Sequence, residues 1–150
     1  MNRTALTLAA LAALALPLAA TPAAEAAPAS AGPAVATSSA TTGCGPSVRM
    51  ITRLNTVCVT VDGSSVRVYG VSTQLVTGPG RDYIFKVSAS VVDGASLGTE
   101  SGSAFFGAGT AYVGGPSAVV PCGSTVRASF ALTDFGTPPP TSVVDVVVGC

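Results

Sequence analysis

From Val57 onward, apolar and polar residues alternate with a period of two rather than at helical spacing. The clearest element is Val57-Cys58-Val59-Thr60-Val61, then Asp62-Gly63, then Ser64-Ser65-Val66-Arg67-Val68. Asp-Gly is a preferred type I′ hairpin dipeptide, because both central residues of that turn need positive φ. A turn centred there pairs Val59 with Val66 and Val57 with Val68 on an apolar face. The wet face then pairs Thr60 with Ser65 and Cys58 with Arg67, the two-sided character of a half-buried antiparallel pair. The second arm is expected to continue to about Val76. Its apolar parity changes from Val66 and Val68 to Val71 and Leu75, which predicts a bulge at Gly70.

Further along, Tyr83, Phe85, Val87, Ala89 and Val91 alternate with Ile84, Lys86, Ser88 and Ser90, a strand that ends at Asp93-Gly94. Val126, Ala128, Phe130 and Leu132 give a second inward face, with Arg127, Ser129 and Thr133 opposite. Between them Ala95–Gly115 is rich in glycine, and a strand over Ser103–Val113 is expected there. Gly136-Thr137-Pro138-Pro139-Pro140 forces a loop, and Ser142–Val148 is a valine-dense strand. Ser47–Asn55 fits a short helix through Val48, Ile51 and Leu54 or a strand through Val48, Met50 and Leu54, and the strand is preferred. The expected fold is all-β: a small antiparallel β-sandwich of about six or seven strands, immunoglobulin-like in general architecture. A small barrel is the alternative.

The N-terminus is of another kind. Asn2-Arg3 precedes an Ala/Leu run from Ala5 to Ala20 that ends at Ala24-Glu25-Ala26, the pattern of a secretory signal peptide over residues 1–26. Ala29-Ser30-Ala31 is an alternative cleavage point. Residues 27–43 are Ala, Pro, Ser and Thr with Val35 as the one larger aliphatic residue, and read as a disordered linker. The folded domain is then 44–150. No apolar tail follows it, so no membrane anchor is expected and the product is read as secreted and extracellular.

Export makes disulfides the expected state of Cys44, Cys58, Cys122 and Cys150. Four cysteines allow three pairings. Cys122 opens one expected strand and Cys150 closes the next, so a hairpin folded at Asp134–Thr141 brings them to within about three residues of register, an offset that Gly123 could absorb. That leaves Cys44 with Cys58, a bond on the wet face of the first hairpin rather than across a core.

Composition narrows the chemistry. The chain has 150 residues, no histidine, no tryptophan and zero formal net charge, with 9% charged residues. No basic patch exists for phosphates, so nucleic acid is not an expected partner. Without histidine there is no Ser-His-Asp or Cys-His arrangement, and no Cys-x-x-C pair begins a metal site. Lys86 is the single lysine, and Asp93 and Glu100 read as solvated loop charges. The glycines of Gly94–Gly115 lack the Gly-Lys-Ser/Thr ending of a phosphate loop. No enzyme activity and no cofactor are expected. Phe105, Phe106 and Tyr112, in the glycine-rich stretch, are the candidate binding surface, with burial of both phenylalanines in the core as the competing reading.

The Ala/Val/Gly/Pro-heavy composition and leader resemble those of exported proteins of high-GC Gram-positive bacteria. Some of those are small two-disulfide β-proteins that inhibit amylases or subtilisins. Here the Trp-Arg-Tyr motif of the amylase inhibitors is missing, and so is a cysteine-framed reactive-site loop. The expected function is an extracellular interaction or structural module for a protein or glycan partner. The alternative is an inhibitor of a secreted protease or amylase, acting through the rigid Gly136–Thr141 loop.

Overall fold

A computed structural model describes residues 39–134 and 138–150, all within a unit spanning Ala36–Cys150. The leader, the linker to residue 38 and loop positions 135–137 lie outside the described residues, and with them Gly136 and Thr137 of the proposed inhibitory loop. The described residues form nine strands: β1 (Thr41–Cys44), β2 (Val48–Met50), β3 (Arg53–Asp62), β4 (Ser65–Gln74), β5 (Arg81–Val91), β6 (Ser96–Phe106), β7 (Thr110–Val119), β8 (Thr125–Thr133) and β9 (Thr141–Val147). All pairings are antiparallel. Sheet A runs β1-β3-β4-β7, with β2 also on the β1 side of β3, and sheet B runs β6-β5-β8-β9.

The core lies between the sheets. Val57, Val59, Val61, Val66, Val68 and Val113 face Tyr83, Val87, Ala89, Phe106, Val126, Ala128, Phe130 and Leu132. The alternation of β5 and β8 runs as their sequences dictate, Tyr83–Ala89 and Val126–Leu132 inward. Buried Ser142 stitches the sheets: its hydroxyl accepts from the Val57 amide at 3.0 Å and donates to the Pro46 carbonyl at 2.8 Å. Both backbone groups are thereby satisfied inside.

Four local expectations need correcting. The first hairpin turns at Gly63-Ser64, not Asp62-Gly63, so Val59 pairs with Val68, Val61 with Val66 and Cys58 with Tyr69. Gly63 has φ 56° and Ser64 is not in the left-handed region, the pattern of a type II′ turn with glycine first. No parity change occurs at Gly70, because Val66, Val68, Gly70 and Ser72 all point inward. Gly70 is required there: a Cβ would stand 2.5 Å from the Phe130 ring. The irregularity sits across from Val68, where Gly115 and Pro116 of β7 face one residue of β4.

The strand expected over Ser103–Val113 is cut at Gly107–Gly109, which carries the chain from sheet B to sheet A. Order begins before Cys44, since Thr41–Cys44 pairs with Cys58–Val61 as β1 and takes three residues assigned to the linker. Ser47–Asn55 is extended but folded on itself as β2, a turn and the start of β3. That turn holds Ile51 at φ 50°, with neither glycine nor proline to announce it.

The disulfides are Cys44–Cys58 and Cys122–Cys150. The β8–β9 ladder ends at Thr125↔Val147; beyond it Gly123, at φ 82°, and Ser124 both bond to Val148, so the two cysteines meet across a one-residue irregularity at Gly123. Cys44 lies directly opposite Cys58 in the β1–β3 ladder, Cα atoms 4.1 Å apart, and the bond stays on the outer face of sheet A.

Candidate binding surfaces

The three aromatic residues singled out from the sequence do not converge. Phe106 is buried, 1% exposed, and meets Tyr83 edge-to-face at 5.7 Å. Its neighbour Phe105 points the opposite way, 66% exposed on the outer face of sheet B, beside Gly80 and Gly107. Tyr112, 70% exposed, stands on the outer face of sheet A. Two are therefore on the surface, but on opposite faces of the molecule.

What Tyr112 does meet is Tyr69, with ring centroids 6.4 Å apart and planes tilted by 45°. Tyr69 was not singled out, because the turn as read placed Arg67 opposite Cys58. In the observed register Tyr69 takes that place, next to the disulfide, and Arg67 faces Thr60. These residues, with Asp62, Ser117 and Gly114, line an open groove of about 630 Å³ on sheet A. Gly114 leaves it unobstructed, since nothing lies within 4 Å of where its Cβ would be. Thr60 is fixed by a 2.9 Å hydroxyl–hydroxyl bond to Thr42 of β1. The groove combines two aromatic faces with a guanidinium, a carboxylate and hydroxyls, the mixture of apolar platform and directional polar groups found in ligand sites.

A second site lies at the end of the sandwich, where the β2–β3 turn, the β4–β5 connection and the β6–β7 turn meet. Alternation along β3 sends Arg53 and Asn55 inward with Val57, and Arg53 is 1% exposed. Its Nε donates to Ser72 Oγ at 2.7 Å, its Nη1 to Gln74 Oε1 and the Gly107 carbonyl, and its Nη2 to the Ser72 carbonyl. The guanidinium stands 5.3 Å from the Phe106 ring centroid and 5.9 Å from that of Tyr83. Every partner is neutral. Burial pulls its pKa below arginine's ordinary value, with Tyr83 opposing.

Ser72 in turn donates to Asn55 Oδ1 at 2.7 Å, and Asn55 Nδ2 is buried without an acceptor. Arg81 lies over the other part of this end, 4.7 Å from the Tyr83 ring, donating through Nε to the Tyr83 hydroxyl at 2.8 Å and pairing with Asp134. The Tyr83 hydrogen bond, ahead of Asp134, raises the Arg81 pKa. Ile51, Thr52, Arg53, Arg81, Tyr83 and Phe106 are among the residues lining a cavity of about 380 Å³ here.

The remaining charged candidates are dispersed. Lys86 is exposed on β5, Asp93 sits in the β5–β6 turn at φ 55°, and Glu100 lies mid-β6 opposite Val87. Arg127 and Asp145 pair across β8 and β9 on the outer face of sheet B. Among the described residues, no three His, Cys, Asp or Glu side chains are grouped to hold a metal ion. No family model, no curated protein and no solved structure matches the chain.

Proposed function

We propose that this protein is an exported extracellular module that binds a neutral saccharide in the groove of sheet A, with no catalytic step. The observation that carries this reading is the pair of exposed Tyr112 and half-buried Tyr69 beside hydrogen-bonding side chains. Sugar rings present C–H faces to stack on such rings and hydroxyls to meet Arg67, Asp62 and Thr60. Export is supported by the signal-like leader and by the pairing of all four cysteines. The facing antiparallel sheets support an immunoglobulin-like general architecture, without the cross-core disulfide of antibody domains.

The test is a titration of the isotope-labelled, oxidised protein with a panel of soluble cell-surface oligosaccharides. Saturable amide shifts at Tyr69, Tyr112 and Gly114 are expected, and Tyr112→Ala should weaken binding about tenfold or more. No response across the panel, with specific capture of a protein partner that Tyr112→Ala abolishes, would replace the glycan by a protein at the same groove. Inhibition of secreted proteases or amylases by the unliganded protein would favour the inhibitor reading instead.

A further inference from the structure

We propose that the Arg53 end of the sandwich is a second binding site, separate from the groove, for a monoanionic carboxylate carried on an apolar tail. A buried guanidinium is costly unless its charge is matched, and such groups are ordinarily paired with carboxylates or phosphates. Arg53 is buried among neutral acceptors. Of the seven acidic residues in the chain, six are described, and none of these forms an ion pair with it.

The surroundings add positive charge. Arg81 also stands over the Tyr83 ring, 4.7 Å from its centroid, and Arg49 donates to the Ile51 carbonyl at the adjoining turn. The carboxylate paired at this end is that of Asp134, and it pairs with Arg81. Asp82, next in sequence to Arg81, is exposed on the outer face of β5. Arg53 and Arg81 line the cavity of about 380 Å³ while Arg49 stands outside its lining, and with Arg81 offset by Asp134 the charge of one guanidinium is left for a monoanion.

The donor inventory agrees. A guanidinium has five N–H groups, and the bonds of Arg53 use four. In the same polar cluster, Asn55 Nδ2 is a buried donor without an acceptor. Arg53, which lines the cavity, thus keeps one N–H for an anion, while Asn55 lies behind it outside the lining. The rest of the lining includes Ile51, Val76, Pro79 and Phe106, an apolar surround for a short hydrocarbon tail.

The experiment compares hexanoate with its neutral isostere hexanamide, each titrated into the oxidised full-length protein and followed by amide chemical shifts. Hexanoate should give saturable shifts at Ile51, Thr52, Val76 and Gly78, and hexanamide none. Arg81→Gln removes an exposed cation and leaves Asp134 facing the site, so it should weaken hexanoate about tenfold or more. Asp134→Asn should tighten it, because the carboxylate that competes for Arg81 is gone. A purely structural role for Arg53 predicts neither change. No saturable shift with hexanoate, an equal response to hexanamide, or shifts confined to Tyr69, Tyr112 and Gly114 would each overturn the proposal. Preference for inorganic phosphate over hexanoate would overturn the carboxylate assignment.

Discussion

Gly70 and Gly114 lie on neighbouring strands of sheet A, yet an added methyl group meets opposite surroundings at the two positions. At Gly70 it would strike the face of buried Phe130, and at Gly114 it would enter open space. Gly70→Ala is expected to cost about 1–3 kcal/mol, the usual penalty for overpacking a filled core. Gly114→Ala should be neutral or gain up to about 1 kcal/mol by restricting the unfolded chain. Paired urea denaturation curves distinguish the two, and equal losses would contradict the inward placement of Gly70. Ile51 presents the reverse case. A β-branched residue at φ 50° is strained, and 61% of its surface is exposed, so little packing compensates. Ile51→Gly should therefore raise stability by about 1 kcal/mol, measured as a higher melting temperature.

Among the elements, legibility tracked how strictly a strand alternates. Tyr83–Val91 and Val126–Leu132 each repeat large and polar residues at period two, and both strands stand where that pattern put them. The Asp62-Gly63 hairpin was legible as a hairpin, but its turn type was not. Moving the turn by one residue kept both faces intact while exchanging Arg67 for Tyr69 beside Cys58. The groove was lost from the sequence reading through that single shift. Arg53 escaped for another reason: the turn at Ile51-Thr52 contains no turn-forming residue, so the parity Arg53, Asn55, Val57 was not carried back from β3. The glycine-rich stretch read as one strand over Ser103–Val113, whereas it holds the end of β6 and the start of β7, divided at Gly107–Gly109. At this scale the disulfides also separate. They close loops of 14 and 28 residues, a doubling that adds only about 0.6 kcal/mol to the cross-link effect. Replacing either pair by alanine should cost about 3 kcal/mol, with the Cys122–Cys150 pair slightly the costlier. Loss of Cys44–Cys58 should in addition speed hydrogen exchange in β1, which pairs with β3 alone.

For the molecule as a whole, the absence of histidine removes the side chain that ordinarily titrates between pH 5 and 8. Asp145 is the group whose shift has a predictable consequence. Its hydrogen bond from Arg127 holds its pKa below the ordinary value of 3.8. The depressed folded value means that the stabilisation is complete above the unfolded value and is lost as pH falls through the folded one. Stability should thus stay level from pH 8 to 5 and decline below about pH 4. Asp145→Asn should make that acid decline shallower, as denaturation midpoints at pH 3 and pH 6 would record.

The two cross-links are sequential along the chain rather than nested, and that order has a mechanical consequence. Under tension applied at the ends of the folded unit, each bond withholds its own loop, 14 and 28 residues, from the thread that can be drawn out. A reduced molecule should therefore extend roughly 140 Å further than an oxidised one when pulled apart in an optical trap. Tethered between two surfaces, the oxidised form would act as the shorter and stiffer link.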